Sequence, residues 1–304
     1  MYSLRSLWST TLTRFQSKFP SFYAKLPALA ELARLDKPIG IYLLLWPTLG
    51  ALWLAAEGVP PLSLLFIFIT GTAVMRSAGC CINDFADYKI DSRVTRTRQR
   101  PLARAALSRT DAMACFIVLS LTGFALVLLT NRATILLSLV AIVVVAIYPF
   151  MKRFTNLPQV VLGIAFSWGI PMAFTAQTGA IPQSAYLLFV ANCLWTVAYD
   201  TQYAMADRES DIEIGVKSSA ILFGDADKSI IASLQVMFIL AMWLAGRQFG
   251  LSGFYTASLV IASALLCYQQ VLIKARLPGP CFKAFLNNNW VGAVIFAGIV
   301  LGSL

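Results

Sequence analysis

Acidic side chains are scarce in this sequence, and most of them lie in two short runs. Of 14 Asp and Glu residues, three fall in N-D-F-A-D-Y-K-I-D at 83–91 and five in D-T-Q-Y-A-M-A-D-R-E-S-D-I-E at 200–213. Each run begins at the end of a long apolar stretch, where a carboxylate without a partner is costly beside lipid. Two such runs indicate a cation-binding site.

If the first run continues the preceding apolar helix, its carboxylates share one face. At about 100° per residue, Asp84, Asp87 and Asp91 all lie within roughly 100° of Asn83. Carboxylates this close repel one another unless a cation neutralises them. We therefore predict that all four residues bind a metal ion.

The second run has the same geometry. Asp207 and Asp211 lie within roughly 20° of Asp200 around a helix. Glu209 and Glu213 fall on the opposite side and are predicted to face solvent. The sequence thus predicts two stripes of carboxylates that face each other.

The types of side chain limit the chemistry of this site. Carboxylates and amides without imidazole or thiol ligands favour Mg²⁺ or Mn²⁺ over zinc. The chain contains no histidine, which excludes HExxH metalloproteases and Ser-His hydrolases. Since Mg²⁺ commonly shares its ligands with phosphates, two acidic stripes predict a receptor for a diphosphate.

Arg76 is a candidate cation for such a site. It lies seven residues before Asn83, close to the same stripe, and is the only charge well inside a predicted span. An arginine within a membrane is by default functional and paired.

Further cations follow the fourth apolar stretch. Tyr148 and Lys152 are four residues apart and can share a face, although Pro149 between them distorts the turn. Lys152 and Arg153 are candidates for diphosphate binding, but they are equally explained as anchors at the membrane surface. The arginine-rich segment 93–104 has the same two interpretations.

The elements that position these residues are transmembrane helices. Hydrophobic residues make up 59% of the 304 residues and charged residues only 12%, far from the composition of soluble domains. A spanning helix needs about 20 apolar residues. Nine stretches meet this need: 38–57, 62–82, 112–130, 133–151, 158–178, 184–206, 229–249, 252–272 and 284–303.

Charge predicts the orientation of the chain. Of 24 Lys and Arg residues, 21 lie in the N-terminal segment or the longer loops on the same side, which the positive-inside rule assigns to the cytoplasm. The net charge of +10 needs no nucleic-acid partner, because topology and anionic lipid explain it. We expect a basic surface segment at 1–30 and one membrane domain at 31–304, in a bacterial inner membrane.

The sequence resembles the UbiA family of intramembrane aromatic prenyltransferases over almost its whole length from about residue 31. The resemblance lies in R-L-D-K-P-I-G (34–40), L-L-L-W-P-T-L (43–49), A-G-C-C-I-N-D-F-A-D-Y-K-I-D (78–91), R-P-L (100–102), Y-P-F-M-K-R (148–153), L-P-Q-V-V-L-G (157–163), Y-D-T-Q-Y-A-M-A-D-R (199–208), K-S-S-A-I-L-F-G (217–224) and C-F-K-A-F-L-N-N-N (281–289). Within the family, these segments are most similar to members that prenylate 4-hydroxybenzoate in bacterial ubiquinone biosynthesis.

The resemblance implies an all-α fold, a polytopic membrane bundle of nine transmembrane helices around a central cavity. The residues that match the family's metal-binding motifs are Asn83, Asp87, Asp91, Asp207 and Asp211. They imply that two Mg²⁺ ions are held against the diphosphate of a polyprenyl donor. Mn²⁺ could replace Mg²⁺ at this site. Tyr148 and Lys152 match a pair that grips the diphosphate.

The implied reaction joins C1 of the polyprenyl chain to the 4-hydroxybenzoate carbon ortho to the hydroxyl, and it releases diphosphate. We expect Lys152 and Arg76 to stabilise the leaving group. Asp200 or the released diphosphate would take the ring proton. The acceptor's carboxylate would bind Arg76 or Lys37, and the sequence does not decide between them.

Three alternatives remain open. The protein could prenylate another aromatic acceptor. It could transport divalent cations, although its acids cluster at one membrane face rather than near the midplane. A CDP-alcohol phosphotransferase is disfavoured, because that family has glycine where Tyr88 follows Asp87. The oligomeric state and the length of the prenyl donor are not indicated.

Overall fold

The computed structural model describes residues 20–93 and 97–303, and within these ranges the chain is helical without β-strands. Its α-helices are α1 (Pro20–Leu32), α2 (Ile39–Ala55), α3 (Leu62–Asp91), α4 (Arg109–Val127), α5 (Arg132–Ile147), α6 (Pro158–Ser167), α7 (Gly169–Thr178), α8 (Gln183–Ile214), α9 (Ser219–Phe223), α10 (Asp227–Gln248), α11 (Gly253–Leu272) and α12 (Pro278–Gly302). Short 3₁₀ helices span Tyr148–Arg153, Gly224–Ala226 and Ile273–Ala275. The predicted all-α membrane fold is confirmed.

Each of the nine predicted spans coincides with one helix or with two consecutive helices. Among the described residues, seven helical stretches are long and apolar enough to cross a membrane. The other two spans correspond to α2, which is apolar but has only 17 residues, and to α8, whose second half carries the acidic run. The count of nine crossings therefore stays a prediction.

The helices form a ring in chain order. Each of α2 to α5 packs against the next, α5 contacts α6 and α7, α8 packs against α10, and α12 returns to pack on α2. Helix α2 also contacts α7, and α8 also contacts α12, so these helices fill part of the interior of the ring. This arrangement leaves a cavity on the side of α3 to α7.

The helices that carry the acidic runs are longer than the membrane is thick. With 30 residues, α3 is about 45 Å long, against about 30 Å of hydrocarbon. With 32 residues, α8 is longer still. Their acidic ends can therefore reach the membrane surface without a break in the helix.

The fifth predicted span is broken between α6 and α7. A Cβ at Gly169 would lie 2.4 Å from the hydroxyl of Thr48 on α2. Glycine thus lets the two backbones approach closely, as small residues do in membrane bundles.

Uncharged amides hold the half of the ring opposite the cavity. Gln269 on α11 accepts hydrogen bonds from Gln202 on α8 and Gln235 on α10, each at 2.9 Å. Asn288 on α12 donates to Gln202 at 3.0 Å and accepts from the Trp195 indole at 2.8 Å. In lipid, such buried amides must find partners within the bundle, so this network joins four helices around the middle of α8.

Helix α1 lies against α3 and α4. Lys25 forms an ion pair with Asp111 at 2.8 Å, and Glu31 one with Arg104 at 2.6 Å. The expected domain boundary between residues 30 and 31 falls inside this helix, and residues 1–19 lie outside the described part of the chain. The two-part domain division stays a prediction.

Candidate active site

The two acidic stripes line one cavity of about 1180 Å³. The acidic and amide side chains at its polar end include Asn83, Asp84, Asp87, Asp91, Asp200, Asp207 and Asp211. The first four come from α3 and the others from α8. The structure therefore brings together the two runs that the sequence predicts to face each other.

Helical periodicity explains which side chains enter the cavity. On α3, the lining residues recur every three or four positions from Ile67 to Asp91, which is one face of a helix. On α8, Glu209 and Glu213 are exposed and do not line the cavity, as predicted.

Lys152 lies directly on the first stripe. Its ammonium group donates a hydrogen bond to Asp87 Oδ2, while Asp87 Oδ1 is buried without a hydrogen-bond partner among the described residues. Tyr148 and Lys152 both line the cavity. They lie on the 3₁₀ helix Tyr148–Arg153, and Pro149 is in its first turn. The proline therefore changes the type of helix without separating the pair.

Asp84 is the residue of the first stripe whose carboxylate binds two arginines. Arg34 Nη2 lies 2.9 and 3.1 Å from its two oxygens, and Arg100 Nη1 lies 3.2 Å from one of them. The side chain is 1% exposed. The metal-binding role of Asp84 stays a prediction; because its carboxylate already holds two arginines, we propose the other residues of the stripe as metal ligands.

Arg100 also binds Asp91, with 2.8 Å between Nη1 and Oδ2. Burial alone would lower the pKa of the Arg100 guanidinium, but the charges of Asp84 and Asp91 outweigh it and raise the pKa above its usual value. Arg100 thus stays charged and neutralises part of the first stripe.

An ion cluster holds the end of α8, which carries the second stripe, against the neighbouring helices. Arg208, next to Asp207 on α8, lies 3.6 Å from Asp227 at the start of α10. Asp227 is fully buried and also binds the Arg276 guanidinium at 2.9 Å. This cluster ties the end of α8 to α10 and to the α11–α12 connection.

Arg76 lies half-buried beside the polar end, with its Nε atom fully buried. Its Nη1 donates to Cys80 Sγ at 2.9 Å, its guanidinium lies 5.6 Å from the Phe166 ring centre, and its Nε has no hydrogen-bond partner among the described residues. A Cβ at Gly40 would lie 2.3 Å from that Nε, so only glycine leaves room for the arginine. Asp200 is within electrostatic range of Arg76.

Two other predicted cations are placed less favourably. Lys37 lines the cavity, but its side chain is 74% exposed and lies 3.7 Å from Asp36. Arg153 does not line the cavity, since its guanidinium donates to the Ala86 carbonyl at 2.8 Å and contacts the Phe150 ring. These contacts give Arg153 a structural role, and its binding of diphosphate stays a prediction.

The structure places three further cations at the cavity, of which the sequence indicates only Arg100, as part of the arginine-rich segment 93–104. Arg34, Arg100 and Lys217 all line it. Each lies in a segment that carried the family resemblance, which was the available signal. Their charge alone could not separate them from the other loop cations that mark orientation.

Away from the acids, the cavity continues between apolar side chains. Those lining this apolar end include Phe68, Phe124, Ile142, Phe166, Trp168 and Met172. They come from α3, α4, α5, α6 and α7 and from the residue between the last two. One cavity therefore combines a charged end with a long apolar end, as a ligand with an anionic head and a hydrocarbon tail requires.

Curated proteins are similar in sequence to this chain over most of its length. A protein named 4-hydroxybenzoate octaprenyltransferase from Ectopseudomonas mendocina (strain ymp) is 58% identical over 271 residues, which are 89% of this chain and 92% of that protein. A protein of the same name from Hahella chejuensis (strain KCTC 2396) is 56% identical over 280 residues, or 92% of this chain and 93% of that one.

Solved structures share the fold. The apo structure of a UbiA homolog from Aeropyrum pernix K1 superposes with a TM-score of 0.77 at 26% identity, covering 87% of this chain and 98% of that one. A UbiA homolog from Archaeoglobus fulgidus, bound to GPP and Mg²⁺, has a TM-score of 0.66 at 16% identity, covering 90% and 99%. The sequence profile of the UbiA prenyltransferase family matches residues 44–300, and the chain belongs to this family.

Proposed function

We propose that the protein transfers a polyprenyl group from polyprenyl diphosphate to 4-hydroxybenzoate, at the carbon ortho to the hydroxyl, as a step of ubiquinone biosynthesis. The observation that carries this proposal is the single cavity in which two acidic stripes adjoin an apolar channel. The relatives named 4-hydroxybenzoate octaprenyltransferase, at 56–58% identity, support this choice of acceptor over other aromatics.

The polar end fits a divalent cation that is completed by its substrate. Among the described residues, no three His, Cys, Asp or Glu side chains form a ready-made metal centre. The buried Asp87 Oδ1 is nevertheless left without a partner in this part of the chain, in a cavity rich in carboxylates. Such a site suits Mg²⁺ or Mn²⁺, whose remaining ligands would be water and diphosphate oxygens.

The proposed metal ligands are Asn83, Asp87, Asp91, Asp207 and Asp211. Solved structures of the Archaeoglobus fulgidus homolog bound to GPP or DMAPP with Mg²⁺ support the use of a divalent cation by the fold. We propose two ions, since the two stripes lie on different helices. When bound, Mg²⁺ supplies Lewis-acid stabilisation of the charge that develops on the leaving diphosphate.

Lys152 and Tyr148 bind the diphosphate from the α5 side. Lys152 shares Asp87 with the metal site, so its charge is fixed beside the leaving group before the donor arrives. A cation that is already in position stabilises developing negative charge without reorganisation. Arg100, held by Asp84 and Asp91, lies at the same end of the cavity.

Arg76 is the better candidate for the carboxylate of the acceptor. Its Nε atom is buried and lacks a partner among the described residues, whereas Lys37 is mostly exposed beside Asp36. A buried, unsatisfied donor gains most from an anion. Asp200 lies within range of Arg76 and would accept the ring proton, with the released diphosphate as the alternative acceptor.

The apolar end protects the reaction from water. Departure of diphosphate leaves an allylic carbocation, which water would capture before the ring could attack. Aromatic and aliphatic side chains around the prenyl chain exclude water from this part of the cavity.

The protein is a polytopic membrane protein, and we place it in the bacterial inner membrane with the polar end towards the cytoplasm. The charge asymmetry of the loops and the bacterial origin of the relatives support this placement. Both lipid-soluble donor and lipid-soluble product would then enter and leave through the bilayer.

The proposal is tested with purified protein, labelled 4-hydroxybenzoate and octaprenyl diphosphate. We expect the label to move into a lipid-soluble product when Mg²⁺ is present and to stay in water when a chelator removes it. Transfer to another aromatic acid but not to 4-hydroxybenzoate would refute the proposed acceptor. Absence of transfer with every acceptor, together with divalent-ion flux in proteoliposomes, would favour the transporter.

A further inference from the structure

The cavity follows α3 for nearly the whole length of this helix. Its lining residues on α3 extend from Ile67 to Asp91, a distance of about 36 Å at 1.5 Å per residue. A prenyl chain whose diphosphate lies at Asp87 would therefore run along α3 towards Ile67. The residues that α3 presents to the cavity would contact successive isoprene units.

Two of these residues are glycines beside open space. A Cβ built on Gly71 would have no neighbouring heavy atom within 4 Å. A Cβ on Gly79 would meet only Val145 Cγ1, at 3.9 Å. Gly123 across the cavity differs, because a Cβ there would lie 2.7 Å from Met75 Sδ, so close packing accounts for that glycine. Helix packing gives no such reason for glycine at 71 and 79.

The spacing of the glycines converts into a number of isoprene units. An extended unit is about 5 Å long, since it contains four carbon–carbon bonds of about 1.5 Å. Gly79 lies eight residues from Asp87, or about 12 Å along the helix, and Gly71 lies sixteen residues away, or about 24 Å. Gly79 is thus level with the second or third unit, and Gly71 with about the fifth.

We propose that Gly71 determines the accepted length of the prenyl donor, because its missing side chain leaves the cavity open to units beyond the fourth. This inference rests on the proposed prenyl transfer. A larger side chain at Gly71 would obstruct long chains and leave short ones unaffected. Gly79 would act in the same way nearer the diphosphate.

The test is a donor series with Gly71→Leu. Transfer to 4-hydroxybenzoate is measured with geranyl, farnesyl and octaprenyl diphosphate, which have two, three and eight isoprene units. We expect kcat/KM to fall on the order of 100-fold with octaprenyl diphosphate, as steric exclusion from an apolar pocket typically does, and to change little with the two shorter donors. Gly253→Leu is the matched control, since Gly253 is exposed, has open space and does not line the cavity.

Gly79→Leu provides the second variant. It is expected to reduce transfer from farnesyl as well as octaprenyl diphosphate, so that the two variants differ in the length at which activity is lost. A Gly71→Leu profile that parallels the wild type, or an equal loss with all three donors, would overturn the inference. Failure of the wild-type protein with every donor would instead refute the proposed reaction and the inference with it.

Discussion

Replacing Asp87 with alanine is expected to lower kcat for prenyl transfer by about 10³-fold, the size of effect typical for loss of a group that stabilises developing charge. Asp87 is buried, holds Lys152 and has one oxygen without a partner among the described residues. Its removal would take away a metal ligand and release the lysine from its position. Turnover is measured with labelled 4-hydroxybenzoate at saturating donor and Mg²⁺.

The same loss is expected for Asp207→Ala, because the two stripes act on one diphosphate. Asp87→Asn and Asp207→Asn preserve the shape of the side chains and separate loss of charge from loss of packing. Asp225→Asn is the control, since Asp225 is fully exposed and does not line the cavity. Folded protein at wild-type level with most activity retained in either alanine variant would remove that residue from the metal site.

The second large effect is expected for Arg76→Met. If Arg76 binds the acceptor's carboxylate, its loss removes charge-assisted hydrogen bonds worth about 1.5–3 kcal/mol, so KM for 4-hydroxybenzoate should rise about 10–100-fold. A rise in KM for the donor instead would assign Arg76 to the diphosphate, which is the other role that the sequence predicts for it. The measurement is a steady-state titration of each substrate at saturation of the other.

A phenolic acceptor without a carboxylate distinguishes this role from a structural one. Wild type and Arg76→Met should use such an acceptor equally well, and Arg76→Lys should recover part of the binding of 4-hydroxybenzoate. Lys37→Met decides between the two candidates that the sequence left open. A rise in the acceptor KM in Lys37→Met, without one in Arg76→Met, would assign the carboxylate to Lys37.

Much of the fold follows from periodicity and composition. Apolar stretches near 20 residues located the helices, because the bilayer allows few other structures. The boundaries were less predictable. Helix α3 continues nine residues beyond the predicted span, to Asp91, since nothing in an acidic run stops a helix at the membrane surface. The break between α6 and α7 lies where Pro171 has no N–H to donate to the Ser167 carbonyl and where Gly169 packs on Thr48, and hydropathy alone does not show it.

The acids of the candidate site were predictable because both runs have helical spacing, and a helix continues the face on which it starts. The partners of those acids were not. Arg34 reaches Asp84 from fifty residues away in the chain, and Arg100 comes from a loop whose cations are explained equally well by topology. These tertiary contacts, which the helix itself does not show, are the reason why Asp84 is left out of the proposed metal ligands.

The most direct measurement is the affinity for an unreactive donor, geranyl thiolodiphosphate, with and without Mg²⁺. If the two stripes hold one metal–diphosphate complex, the wild type binds this analogue only with Mg²⁺, and Asp87→Asn and Asp207→Asn each weaken the binding. Equal affinity in the presence of a chelator, or unchanged affinity in either variant, would contradict a diphosphate site shared by α3 and α8.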